Sequence, residues 1–197
     1  MSRFRFDKAY YTRFYGDDPS SRVISEDQRN KLGCFLAAYL DHLDLEVHSV
    51  LDAGCGTGDW QPVVAEVFDE PSYTGLEVSA YACERHGWIQ GSVADWQTSD
   101  TFDLVICQGV LQYLNSKDAA KALTNLSRWA NHAIYLEALT EADWTENCDR
   151  DVTDGNVFLR AGSWYRDRLR RNFFDCGGGL FVKKDTGIAL FELEAHG

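Results

Sequence analysis

Three glycines at every second position, Gly54, Gly56 and Gly58, follow the apolar, β-branched run Val47-His48-Ser49-Val50-Leu51 and precede a helical stretch from Trp60 to Phe68. A strand entering such a turn, with a helix behind it, lets a ligand lie against main chain where a Cβ would collide. The spacing discriminates between nucleotides. A dinucleotide fingerprint needs glycines at 54, 56 and 59, but position 59 is Asp59, whose carboxylate would repel a diphosphate at the helix N-terminus. A phosphate loop ending in Gly-Lys-Ser/Thr is missing too, because Gly58 is followed by Asp59 and Trp60. The expected ligand is therefore a nucleoside without phosphates and carrying positive charge.

The elements that must position this turn alternate along the chain. Residues 7–15 read as an aromatic helical arm, and 26–43 as a helix with Leu32, Phe35, Leu36, Tyr39, Leu40 and Leu43 on one face. Strands are expected at about 47–52, 73–78, 87–91, 102–107 and 132–139, with helices between most of them. Asn115 or Ser116 can cap the helix that carries Ala120, Leu123, Leu126 and Trp129. Two last strands, 173–182 and 188–194, are expected to join through the turn Lys184-Asp185-Thr186-Gly187.

Four ordered motifs between Val47 and Leu139 resemble the class I S-adenosylmethionine-dependent methyltransferases, of the small-molecule type. Leu51-Asp52-Ala53-Gly54-Cys55-Gly56-Thr57-Gly58 is similar to that family's first motif. Tyr73-Thr74-Gly75-Leu76-Glu77-Val78-Ser79 resembles its second strand, ending in the ribose-binding acid; Glu77 lies 19 residues past Gly58, near the spacing of about 20 for a carboxylate on ribose hydroxyls. Gly91-Ser92-Val93-Ala94-Asp95-Trp96 resembles the loop that cups the adenine, and Phe102 to Leu114 the fourth strand with its following turn. Two departures stand out: Ser92 occupies the place of a common Asp, with Asp95 further on, and Gln112-Tyr113 stands where a His is frequent. The adenine contact is thus open between Ser92, Asp95 and a backbone carbonyl, and the catalytic residue is unknown.

The resemblance implies a Rossmann-like α/β fold, a doubly wound, seven-stranded, mostly parallel sheet with a C-terminal antiparallel hairpin. It implies one domain over residues 1–197, with 1–45 as a helical lid and 140–172 as a substrate-side insertion. The implied cofactor is S-adenosyl-L-methionine, with S-adenosyl-L-homocysteine as product, and the reaction is direct displacement of the methyl group onto an O or N nucleophile. On this reading Gly54, Gly56 and Gly58 let the cofactor approach main chain, Glu77 binds the ribose diol, and Asp52 orients the loop or the cofactor ammonium. Val78 packs on the adenine with Ser92, Val93 and Trp96 around its edge, while Gln108 and Gly109 lie at the amino-acid end. The alternative is a non-catalytic module that binds the same cofactor and acts through a protein partner.

Composition narrows the partners. A formal charge of −12 over 197 residues argues against nucleic acid, which needs a basic surface, so a small-molecule substrate is expected. The run Trp164-Tyr165-Arg166-Asp167-Arg168-Leu169-Arg170-Arg171 is the local exception; spread around a helix, its arginines read as a solvated face, or else as an anion-binding edge. No apolar run reaches the roughly 18 residues of a membrane span, the N-terminal residues lack a signal-peptide pattern, and six cysteines stand apart without a CxxC pair. A cytoplasmic chain with reduced thiols and no metal site is the expectation. Oligomeric state is not legible. Around the substrate both signs are present, Glu137 and Asp143 suiting an amine, Arg160 and Arg166 an acid.

Overall fold

The computed structural model describes residues 6–14, 24–150 and 153–195. Helices α1 (Lys8–Phe14) and α2 (Glu26–His42) lead into β1 (Ser49–Ala53), α3 (Trp60–Val67), β2 (Ser72–Glu77), α4 (Ala80–His86), β3 (Ile89–Gln90) and β4 (Phe102–Gln108). A 3-10 turn at Leu111–Tyr113 then precedes α5 (Ser116–Trp129), β5 (Ala130–Glu137), α6 (Glu141–Glu146), α7 (Gly162–Leu169), β6 (Phe173–Asp175) and β7 (Leu180–Lys183). Tyr15, the last residue of the expected aromatic arm, lies outside the described residues.

Helix boundaries follow local chemistry. Ser25 and Gln28 form a reciprocal capping box at the start of α2, and Asn115 accepts from the Lys117 and Asp118 amides at the start of α5, each meeting orphan N–H groups of a first turn. Gly87 ends α4 in the left-handed conformation.

The seven strands order as β3-β2-β1-β4-β5-β7-β6, with β1 to β5 mutually parallel and β7 antiparallel to both β5 and β6. Side chains alternate between the faces of such a sheet. Leu51, Ala53, Val105, Cys107, Ile134 and Leu136 pack with Leu123, Leu126 and Trp129 of α5 and Leu169 of α7. Val50, Leu104, Ile106 and Ala133 pack with Leu36 and Leu40 of α2 and Val63 and Val64 of α3 on the other face. Each fully buried Leu or Ile contributes roughly 1.5–3 kcal/mol of transfer free energy, so the sheet is clamped from both sides. Of the 1–45 stretch, α2 belongs to this core layer, whereas α1 lies at the carboxyl end of the sheet. Among the described residues no helix is long and apolar enough to cross a membrane.

The C-terminal hairpin exists, but it turns elsewhere than expected. The bend is at Cys176–Gly179, inside the stretch read as one strand; Gly177, Gly178 and Gly179 all take positive φ, which ordinary L-residues avoid. Lys184–Thr186 is a 3-10 turn that closes on Gly187, and 188–194 forms no strand. Its alternating apolar residues have no neighbouring edge to pair with; Phe191 is 79% and Leu193 99% exposed.

Candidate functional site

The glycine turn is built from beneath. Gly54 (φ 94°), Gly56 (φ 53°) and Gly58 (φ 80°) all occupy the left-handed region, and the amides of Gly54 and Cys55 both donate to the Leu76 carbonyl at 2.7 and 3.2 Å, tying the turn to β2. A Cβ on Gly54 would meet Val110 Cγ2 at 2.3 Å, and one on Gly58 would meet the Trp88 ring at 2.4 Å. Two of the three glycines therefore make room for the protein's own side chains. Only at Gly56 is that direction open, with Tyr11 at 3.7 Å. Trp88 also donates its indole N–H to the Gly56 carbonyl at 3.2 Å, so a single half-buried ring sets the shape of the turn. Sequence reading passed over Trp88; the bare Gly75 on β2, whose Cβ would strike the same ring at 2.6 Å, was its one local signal.

At the end of β2, Glu77 is buried and its two carboxylate oxygens accept from the Gly56 amide (2.9 Å) and the Ser79 amide (2.7 Å). A carboxylate offers about four lone-pair directions, so each oxygen retains one. Asp52, also buried, accepts from the Tyr73 hydroxyl at 2.5 Å. Burial pushes its carboxyl up to about 7, against the opposing pull of Tyr73, with Glu77 raising it further and Arg29 lowering it. Burial likewise pushes the Cys55 thiol up, which keeps it protonated and poorly nucleophilic at neutral pH.

Asp52, Gly54, Cys55 and Gly56 line a cavity of about 670 Å³ at the carboxyl ends of β1, β4 and β5, together with Gln108 and Gly109 among others, while Glu77 and Gly58 stand behind its wall. Ligands of open α/β sheets bind at this edge. Trp60 donates to Gln108 Oε1 at 2.8 Å, Gln108 Nε2 donates to Glu137 at 3.0 Å, and the Tyr135 hydroxyl donates to the same Glu137 oxygen at 2.9 Å. That chain fixes a carboxylate at the tip of β5. Among the described residues lining the cavity, Arg29 is the one cation, and it is ion-paired with Asp59 at 3.2 Å. Helix α1 closes one side: the Tyr10 and Tyr113 hydroxyls lie 3.0 Å apart, and Ser79 donates its hydroxyl to the Phe6 carbonyl at 2.5 Å.

The remaining expected residues lie along the same sheet edge but outside that cavity. Val78 is 49% exposed just beyond β2. Ser92 spends its hydroxyl on the Ala94 amide (3.2 Å), and the Val93 and Ala94 carbonyls are held by the Asn125 amide at 3.0 and 3.1 Å. Trp96 packs edge-on against Trp129, ring centroids 5.1 Å apart, and Asp95 is exposed beside Lys121 at 3.5 Å. Arg29 and Trp60 join the cavity without having been assigned a role from sequence, while Tyr10 comes from the expected aromatic arm and Tyr113 from the place where a His is frequent. Arg160, read as one candidate for binding an acid, is buried and committed elsewhere: its guanidinium donates to the carbonyls of Leu111 (3.1 Å), Phe158 (3.2 Å) and Leu114 and to the Tyr165 hydroxyl (3.2 Å). Arg166 is exposed on α7, away from the cavity.

Residues 50–132 match the model of a methyltransferase domain family. Comparison with curated protein sequences gave no match. Among solved structures, the chain is similar to the N-methyltransferase NodS from Bradyrhizobium japonicum WM9, crystallised with S-adenosyl-L-homocysteine: TM-score 0.63, 15% identity, covering 92% of this chain and 100% of that one. It is also similar to DesVI of Streptomyces venezuelae, with TM-score 0.61 and 17% identity over 79% of this chain and 91% of the other. A third likeness is to the magnesium protoporphyrin IX methyltransferase of Synechocystis PCC 6803, with TM-score 0.60 and 17% identity over 91% and 96%. These likenesses are of fold. The domain match, which runs from β1 into the start of β5, and these likenesses give the chain a methyltransferase domain on that fold.

Proposed function

We propose that the chain transfers the methyl group of S-adenosylmethionine to an O or N nucleophile of a small molecule held in the cavity. One observation carries this reading: the glycine turn and the Glu77 carboxylate share a hydrogen bond beside a cavity whose one lining cation among the described residues, Arg29, is ion-paired with Asp59. A pyrophosphate would find no free positive charge there. An uncharged ribose and a cationic sulfonium with an ammonium group suit it.

The residues present fit that cofactor. The unused lone pairs of Glu77 are available to both hydroxyls of a ribose diol. Asp52, held near neutrality by burial, gains most from an incoming ammonium, because an opposite charge lets a buried carboxyl ionise. The bare Gly56 allows close main-chain approach, Val78 offers an apolar surface for adenine with Ser92, Val93 and Trp96 at its rim, and Gln108 and Gly109 border the amino-acid end. When bound, the sulfonium supplies an electrophilic methyl carbon, so that a nucleophile's lone pair forms the new bond while the C–S pair stays on a neutral thioether. The chain's own contribution is alignment, worth about 7–11 kcal/mol in favourable cases. α1, clasped through Tyr10 and Tyr113, keeps water from one side of the cavity.

Isothermal titration with S-adenosylhomocysteine, NAD and ATP tests the assignment. The thioether is expected to bind, NAD and ATP to fail, and Glu77→Ala to lose the thioether. Binding of NAD without the thioether would overturn it. Label transfer from methyl-labelled cofactor into a small-molecule extract then separates an enzyme from a silent binder.

A further inference from the structure

We propose that Glu137 is the catalytic base of the reaction, its Oε1 taking the proton that the methyl acceptor loses as the new bond forms. This deepens the methyl-transfer reading of the same site and rests on it. Glu137 is the last residue of β5, lines the cavity and stands beside Gln108 of β4 in the parallel register, with the Gly109 amide donating to its carbonyl at 2.9 Å. On that reading Gln108 and Gly109 border the cofactor's amino-acid end, so the carboxylate and the transferable methyl group share one cavity.

The hydrogen bonds of this carboxylate fall on one oxygen. Gln108 Nε2 and the Tyr135 hydroxyl both donate to Oε2, at 3.0 and 2.9 Å, which fills the lone-pair directions of that atom. Burial, reinforced by the Glu137 charge, pushes the Tyr135 hydroxyl up, so it stays protonated and keeps donating. Oε1 accepts no hydrogen bond among the described residues. Trp60 holds Gln108 in turn at 2.8 Å, so side chains from α3, β4 and β5 converge on a carboxylate that is itself exposed. Water would serve such a group equally well, and ordering it costs rotamer freedom, so the convergence points to a need for position. Asp59 and Asp143, also in the cavity wall, differ: both oxygens of each are engaged, by Arg29 and Thr57 and by Thr140 and Asn147.

As a hydroxyl or neutral amine attacks the sulfonium methyl, its oxygen or nitrogen turns positive and the proton on it becomes strongly acidic, within reach of a carboxylate base. That proton passes to Oε1, the attacking lone pair forms the bond to carbon, and the C–S pair stays on the thioether. Exposed at the rim, Glu137 then returns the proton to water. A carboxylate acceptor has no proton to give and would meet a like charge. The base therefore selects a protic acceptor.

The test follows label transfer from methyl-labelled cofactor into a deproteinised small-molecule extract, with the full chain, and measures thioether affinity in parallel by calorimetry. Glu137→Gln and Glu137→Ala should each slow transfer about 100-fold or more, as loss of a general base does, and leave thioether affinity unchanged. Added formate or acetate, compared with sodium chloride at equal ionic strength, should restore transfer by Glu137→Ala about tenfold or more, acetate ahead of formate because it is the stronger base. Transfer at the unsubstituted rate in either variant, or a loss in Glu137→Ala that neither anion rescues, would overturn the proposal. Thioether affinity lost in step with transfer would overturn it too, because the carboxylate would then serve the cofactor. Absence of transfer by the unsubstituted chain would overturn the methyl-transfer reading, and this assignment with it.

Discussion

Two sizeable concavities among the described residues carry opposite charge, and one of them is shaped like a site. The acidic cavity, about 670 Å³, opens at the carboxyl ends of β1, β4 and β5. A groove of about 740 Å³ between α5, α7 and the end of β7 is lined by Arg128, Arg168, Arg171, Lys183 and Lys184. In the groove most of the cations are working within the fold. Lys183 donates to the Ala130 carbonyl and Lys184 to that of Arg170, each at 2.8 Å, and Arg168 lies 3.7 Å from the Trp164 ring centroid. They stitch α7 to the C-terminal hairpin. In the cavity wall, by contrast, Gly54, Gly56 and Gly109 hold positive φ, the Gln112 Oε1 and Arg29 Nε atoms are buried without a hydrogen-bond partner, and burial pushes the Asp52 carboxyl up to about 7. Local cost accumulates at one place and not the other, and strained or unsatisfied groups mark function better than charge or volume.

Substitutions at glycine should separate the regions most sharply. Gly54→Ala and Gly58→Ala each force a Cβ within 2.4 Å of a packed side chain at a positive φ; overpacking plus backbone strain predicts a loss of about 3 kcal/mol or more in urea unfolding, together with loss of thioether binding. Gly187→Ala, at φ 80° with nothing near its Cβ, should cost only the backbone strain of about 1–2 kcal/mol and leave binding intact. Glu77→Ala removes an acceptor from two loop amides and the proposed contact with the ribose; at about 1.5–3 kcal/mol for hydrogen bonds to a charged group, thioether affinity should fall roughly 10- to 100-fold by calorimetry.

The Asp52 prediction has a definite sign. Its folded carboxyl is raised from 3.8 to about 7, so the native state binds the proton more firmly than the unfolded chain, and this group's contribution to stability falls as pH rises across that window. An arriving ammonium favours the ionised form. Affinity for S-adenosylhomocysteine should therefore rise about tenfold between about pH 6 and 8, and Asp52→Asn should flatten the profile. The smallest effect belongs to the basic groove: Arg168→Ala should lower stability by about 1 kcal/mol through its exposed ring contact and leave the thioether titration unmoved. A groove variant that abolished thioether binding would reverse the comparison.

The parallel half of the sheet was readable because its signals are local: apolar runs for β1, β2, β4 and β5, a glycine turn, and an acid on the next strand. The C-terminal edge was not. Three consecutive glycines inside 173–182 marked the turn, but the apolar residues on either side read as one strand, and the alternation in 188–194 implied a partner that the sheet does not provide. In the site, contacts between distant segments decided what spacing could not. That Trp88 fills the space over Gly58 and Gly75, that Asp59 is answered by Arg29, and that Arg160 is consumed by carbonyls are all tertiary facts.

The indole under the glycine turn has one more consequence. Because Trp88 packs where Gly58 and Gly75 lack side chains and holds the Gly56 carbonyl, the turn is moulded by the interior before anything binds. Arrival of a nucleoside then involves little backbone freezing, so association should show small structural change and be limited by arm movement rather than loop folding. The same ring sits one peptide unit from the ligand-facing surface, which makes its emission a native optical gauge of occupancy.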